Sequence, residues 1–170
     1  MHNTSKSDSS FVRLSERLTN SASFTTLFRE GMDLIEETAA YLDGAGRTEA
    51  KGLDRSAGLT YATESMRLTT RLMQLASWLL LHRAVKEGEI TLSQASQEKT
   101  RVKLSAAAPG TPDMIEKLPQ KLQDLIERSM VIQDKVKRLD RTIHVADDHA
   151  PPMQNPLLAQ LNRLKTAFEG

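Results

Sequence analysis

The chain has no cysteine among its 170 residues, so disulfides, thiolate metal sites and a cysteine nucleophile are excluded. Aromatic residues make up only 4%, and the apolar mass comes from Leu, Ala and Met, a balance that favours helix over sheet. An excess of one charge is lacking too. Against 23 basic residues stand 22 acidic ones, for a net charge of +1, which leaves no electrostatic case for nucleic acid or an anionic membrane as partner. The richest apolar run, residues 72–81, falls far short of the roughly 20 residues that a membrane span needs. The opening MHNTSKSDSS is polar where a signal peptide is apolar. The expectation is a soluble, cytoplasmic protein without membrane insertion, with one domain and a real core.

What is present is helical periodicity. Phe24, Leu27, Gly31, Leu34, Thr38 and Tyr41 keep three-four spacing in a helix from about Ser23, its N-cap, to Asp43, with Gly44 as the left-handed residue that ends it. Gly31 lies on that stripe and points to a close helix crossing. Residues 44–52 read as a connection. A central helix then runs from near Asp54 to Glu87-Gly88, about 50 Å long at 1.5 Å per residue. It carries two apolar series. One is Leu59, Ala62, Met66, Thr69, Met73, Ala76 and Leu80; the other is Tyr61, Ser65, Leu68, Leu72, Leu75 and Leu79. Two stripes call for two packing partners. Glu64, Arg67, Arg71 and Gln74 read as the solvated arc, and Trp78, Leu81 and Val85 continue it with apolar side chains that something must cover. Arg67, Arg71, Gln74, Trp78, Leu81 and Val85 are therefore the first candidate protein-binding patch, since Trp and Arg anchor interfaces. Coverage of Trp78 from within the chain, by the segment after Gly88, is the competing reading.

Thr91 and Gln94 resemble a capping box that starts a short helix from Leu92 to about Val102. A third long helix starts with Pro119 at its first position, and Leu122, Leu125, Ser129, Ile132, Val136, Leu139 and Ile143 form its stripe. The pattern stops there. Residues 144–154 read as a linker, followed by a short amphipathic helix with Leu157, Leu161, Leu164 and Phe168 on one side. Such a helix is marginal alone in water and must dock on its own bundle, on a twin or on a client; those four residues are the second candidate protein-binding site. The domain organisation expected is a flexible segment over residues 1–20, in which Phe11, Leu14 and Leu18 could form a turn or two of amphipathic helix, a three-helix bundle over 21–143, and a linker with a terminal helix over 144–170.

Chemistry is hard to place on this chain. His144 and His149 bracket two carboxylates but match no closed zinc spacing. His82 on a helix raises a histidine phosphotransfer role as an alternative, although the downstream Lys and Gly sit at the wrong offset. Glu36 and Glu37 read as solvation of an outer face. Without a glycine-rich phosphate loop, a Ser-His-acid set or a converging carboxylate pair, no enzyme, cofactor or metal is expected.

Two strings resemble a known family. EGMDLIEETAAYLDGAGR at residues 30–47 and ESMRLTTRLMQLASWLLLHRAVKEGE at residues 64–89 are similar to the regulator of CtrA degradation, RcdA, of alpha-class proteobacteria, with the likeness running over about residues 24–140. The resemblance implies an all-α, antiparallel three-helix bundle that dimerises and works without catalysis. It implies an adaptor that helps the ClpXP protease, primed by a response-regulator partner, take up cell-cycle transcription regulators, and that gathers at a cell pole. A purely structural helical dimer remains as a further alternative.

Overall fold

The computed structural model describes residues 22–99, 108–148 and Arg163, and their side chains except those of residues 99 and 144–148. The described residues form α1 (Ala22–Asp43), α2 (Ala45–Lys51), α3 (Arg55–Lys86), α4 (Leu92–Lys99), α5 (Pro112–Ile115) and α6 (Gln120–Asp148). The all-α fold is as expected. The first segment, residues 1–20, and the terminal residues Leu157, Leu161, Leu164 and Phe168 lie outside the described residues, as does His149.

Local chemistry sets the ends of the long central helix. The Asp54 carboxylate accepts the Ala57 N–H at 2.7 Å, which satisfies one of the donors a helix start leaves open. At the other end Gly88 takes φ +75°, while the Glu89 N–H reaches the Ala84 carbonyl and the Gly88 N–H reaches that of Val85. This double bond pattern with a left-handed residue is a Schellman closure. The capping box at α4 also forms, with Thr91 N–H to Gln94 Oε1 at 2.9 Å and Gln94 N–H to Thr91 Oγ1 at 3.1 Å.

Gly44 departs from expectation. Its φ of −116° is not left-handed, because the chain does not leave the helix into a loop but turns at once into α2, where a connection was expected. Gly46 makes that turn possible. A Cβ there would meet Tyr61 Oη at 2.6 Å and the Tyr41 carbonyl oxygen at 2.8 Å. Burial pushes the Tyr41 phenol well above its usual range, helped by its bond to Glu49 Oε2 at 2.6 Å.

The three long helices pack around Phe24, Leu34, Leu68, Leu75, Leu79, Leu122, Leu125, Val136 and Ile143. Gly31 is the close crossing: a Cβ on it would fall 2.5 Å from Leu79 Cδ1. Contacts fix the directions. Thr25 meets Lys86 and Gly31 meets Leu79, so α1 runs against α3. Glu37 pairs with Arg128 and Glu30 with Lys135, so α1 also runs against α6. Arg71 reaches Ser129 and Trp78 reaches Asp140, so α3 and α6 are parallel. The chain therefore returns to the start of the bundle between the end of α3 and the start of α6. The last helix also continues to Asp148, beyond the stop expected at Ile143.

Glu37 is not solvation alone. Arg128 Nη2 donates to Glu37 Oε2 at 2.7 Å and Lys121 bonds Oε1, and the two together, Arg128 foremost, hold the carboxyl down at about 2.

Candidate interaction surface

The two faces of α3 are placed the opposite way round from what hydrophobicity suggests. Its deepest stripe is Ala57, Thr60, Glu64, Leu68, Arg71, Leu75, Trp78 and His82, all buried. The all-apolar series is outside: Leu59 is 71% exposed, Met66 72%, Met73 66% and Leu80 52%. The second series behaves as expected, with Leu68, Leu72, Leu75 and Leu79 in the core.

This corrects the first candidate patch. Arg71 and Trp78 are interior residues, and Arg67, Gln74, Leu81 and Val85 are half-buried, so the six do not make a docking surface. The physical reason is that the facing helix supplies polar partners. Arg71 Nη1 donates to Ser129 Oγ at 3.0 Å, and that hydroxyl donates to the Ile126 carbonyl at 2.6 Å. Trp78 Nε1 donates to Asp140 Oδ1 at 2.8 Å. The Glu64 carboxylate accepts from Arg67 at 2.7 Å and from the Gly110 N–H at 3.0 Å, fastening the stretch before α5 onto the bundle. Burial lowers the Arg71 guanidinium's pKa, and Glu64 opposes the shift. Polar groups paired in this way tolerate an interior that would otherwise expel them. Trp78 is thus covered from within the chain, by Phe24, His82 and Asp140.

His82 is fully buried, stacked on the Trp78 ring at 4.0 Å between centroids, with Nδ1 3.0 Å from the Trp78 carbonyl oxygen. A phosphoryl-accepting histidine must present a ring nitrogen to its donor, and this one cannot. The phosphotransfer alternative falls on that geometry.

What α3 does offer outward is an uncharged face. Every exposed residue between Arg55 and Arg83 is Ser, Leu, Ala, Thr or Met. Several hydroxyls on it are turned back into the helix: Thr63 Oγ1 donates to the Leu59 carbonyl at 3.0 Å, Thr69 Oγ1 to that of Ser65 at 2.8 Å and Ser77 Oγ to that of Met73 at 2.9 Å. Methyl groups and thioethers are left facing outward, a surface of the kind that marks an interaction site. A hint lay in the primary structure, since Leu59, Met66, Met73 and Leu80 are spaced by sevens, the period of a helix–helix seam.

Elsewhere a groove of about 610 Å³ between α1 and α6 is lined by Ser23, Thr26, Leu27, Glu30, Lys135 and Arg138 among others. Two of its charged residues are paired with each other, Lys135 Nζ to Glu30 Oε2 at 3.0 Å, and the groove is open to solvent. Among the described residues, no helix is long and apolar enough to cross a membrane.

Comparison with known proteins agrees with the sequence resemblance. The family described as "Protein of unknown function (DUF1465)" matches residues 15–168. The crystal structure of RcdA from Caulobacter crescentus CB15 is similar at 48% sequence identity and a TM-score of 0.62, over 75% of this chain and 96% of that one. No curated protein sequence matches the chain.

Proposed function

This chain belongs to the RcdA family, within DUF1465, and from that premise we propose that it is a non-catalytic adaptor that binds cell-cycle regulatory proteins and promotes their delivery to the ClpXP protease, primed by a response-regulator partner. The observation that carries the reading is the 48% identity to RcdA across nearly all of that chain. The uncharged outer face of α3 supports it, because such a face is suited to another polypeptide and offers nothing with which to transform a substrate. The adaptor acts as a homodimer in the cytoplasm and is recruited to a cell pole. Its mechanism is effective concentration: holding a client beside the unfoldase raises the local supply of substrate without bond chemistry. Leu157, Leu161, Leu164 and Phe168 form the client contact.

The test compares the intact chain with one lacking residues 150–170 for capture of purified client and of the primed protease. Loss of client with retained protease supports the division of labour. Equal client capture by both chains removes residues 150–170 from it, and no capture of either partner by the intact chain overturns the adaptor reading.

A further inference from the structure

We propose that the groove between α1 and α6 is a seat for the chain's own residues 157–168, laid antiparallel to α6, so that a client must displace them from the bundle before it is held. This rests on the client role given above to Leu157, Leu161, Leu164 and Phe168, and adds the surface that competes with the client for them.

The groove has the make-up of a helix seat. Ala22, Leu27 and Leu139 give it an apolar lining between Thr26 and Thr142. Thr142 Oγ1 donates to the Arg138 carbonyl at 2.9 Å, so that hydroxyl asks nothing of an occupant. One turn before Lys135, on the same face of α6, Val131 is 50% exposed, an apolar side chain that extends the groove toward the Glu37–Arg128 pair. The stems of Lys135 and Arg138 are aliphatic and can lie along apolar neighbours with their charges outward. Among the described residues the lining comes from α1 and α6 alone, so an occupant leaves the outer face of α3 open.

The occupant is identified by spacing and reach. Leu157, Leu161, Leu164 and Phe168 are separated by four, three and four residues, and so, read backwards along α6, are Thr142, Arg138, Lys135 and Val131. Antiparallel laying therefore sets one apolar side chain of the segment over each of four successive levels, ending with Phe168 on Val131. Arg163, turned away from those four on a helix, is helical and exposed. The chain can reach this place: α6 ends at Asp148, about 9 Å past the level of Thr142, and residues 149–156 span up to about 27 Å. Pro151 and Pro152 cannot continue α6. The family pattern extends to residue 168, so all four apolar residues fall within it. An effective concentration of about 1 mM, against an intrinsic affinity of about 0.1–1 mM for so small a contact, seats the segment about half to nine-tenths of the time. Freeing it should tighten client capture about two- to tenfold.

A chain without cysteine makes the test clean. Mild oxidation of Val131→Cys/Phe168→Cys should close a link within one chain, seen as a faster-running single-chain band without reductant. Thr142→Cys/Phe168→Cys, with its sites about 16 Å apart along α6 in this register, should stay open. The linked form should capture purified client about tenfold more weakly than the same variant reduced. In a second variant, Thr26→Asp/Val131→Asp, both positions are exposed. It should keep the parent's helical circular dichroism, speed tryptic cleavage after Arg163 and Lys165, and capture client about two- to tenfold more tightly. Failure of Val131→Cys/Phe168→Cys to link overturns the proposal, as when the segment before Ala22 fills the groove instead. So does a link between two chains, which seats a twin's segment there, or a Thr26→Asp/Val131→Asp variant that matches the parent in cleavage and capture. A link within one chain, together with client capture that survives loss of residues 150–170, upholds the seat and removes the client role from those four residues, so the two failures are told apart.

Discussion

Replacing Trp78 with Phe distinguishes an interior tryptophan from a surface one. The substitution keeps a large apolar ring but removes the indole N–H that donates to Asp140 across 2.8 Å of buried space. A hydrogen bond to a charged acceptor contributes about 1.5–3 kcal/mol. The smaller ring also gives up part of its contact with Phe24 and His82, about 1 kcal/mol for the apolar area withdrawn. The sum is about 3 kcal/mol, a fall of roughly 6–12 °C in Tm for a chain of this size. The melt should be followed by circular dichroism at increasing urea, since the variant loses the chain's one tryptophan. In the parent protein the indole fluorescence should resist iodide quenching. A double-mutant cycle with Asp140→Ala isolates the pair and should return a coupling of about 1.5–3 kcal/mol. A Trp78→Phe variant within 0.5 kcal/mol of the parent, the range for surface substitutions, would refute the interior placement of the whole Glu64–Arg71–Trp78–His82 stripe.

Two further predictions concern the bundle. Gly46→Ala gains helix propensity worth about 1 kcal/mol but drives a methyl into the Tyr41 backbone carbonyl and the Tyr61 hydroxyl; a net loss of about 1–3 kcal/mol is expected, read as a lower urea midpoint, and an unchanged or raised midpoint counts against the tight α1–α2 turn. Glu37 titrates at about 2 when folded against 4.5 ordinarily, so the unfolded chain binds its proton first as pH falls; the stability Glu37 contributes is whole above pH 4.5 and lost as pH drops toward 2. Because its side chain is about a third exposed, at 34%, solvent screening holds that contribution to about 1 kcal/mol. Glu37→Gln should flatten the stability profile in that window, and an identical acid profile would contradict the pairing with Arg128 and Lys121.

The primary structure makes helices legible where propensity, caps and periodicity agree. The stripe of α6 from Leu122 to Ile143, the Asp54 and Thr91 starts and the Gly31 crossing can all be read in that way. Reading by hydrophobicity misplaces α3 because the choice of buried face is made by tertiary partners. Arg71 is interior because Ser129, 58 residues on, accepts from it, and Trp78 because Asp140, 62 residues on, does the same. Nothing within a helical turn of either residue announces those partners. The Leu59–Leu80 row looks like core for the complementary reason: an exposed apolar row and a core stripe can follow the same period, and only the three-dimensional arrangement tells them apart. The parallel course of α3 and α6 escapes detection because the sequence between them carries too little periodicity to show at which end of the bundle α6 begins.

The central claim is that this chain acts by bringing polypeptides together. Its most direct test is a reconstituted degradation reaction containing ClpXP, the priming response regulator and one purified client, with the intact chain as the single variable. The account predicts that adding the chain shortens the client's half-life while the chain itself is recovered unmodified. An unchanged half-life at every concentration of added chain would contradict it.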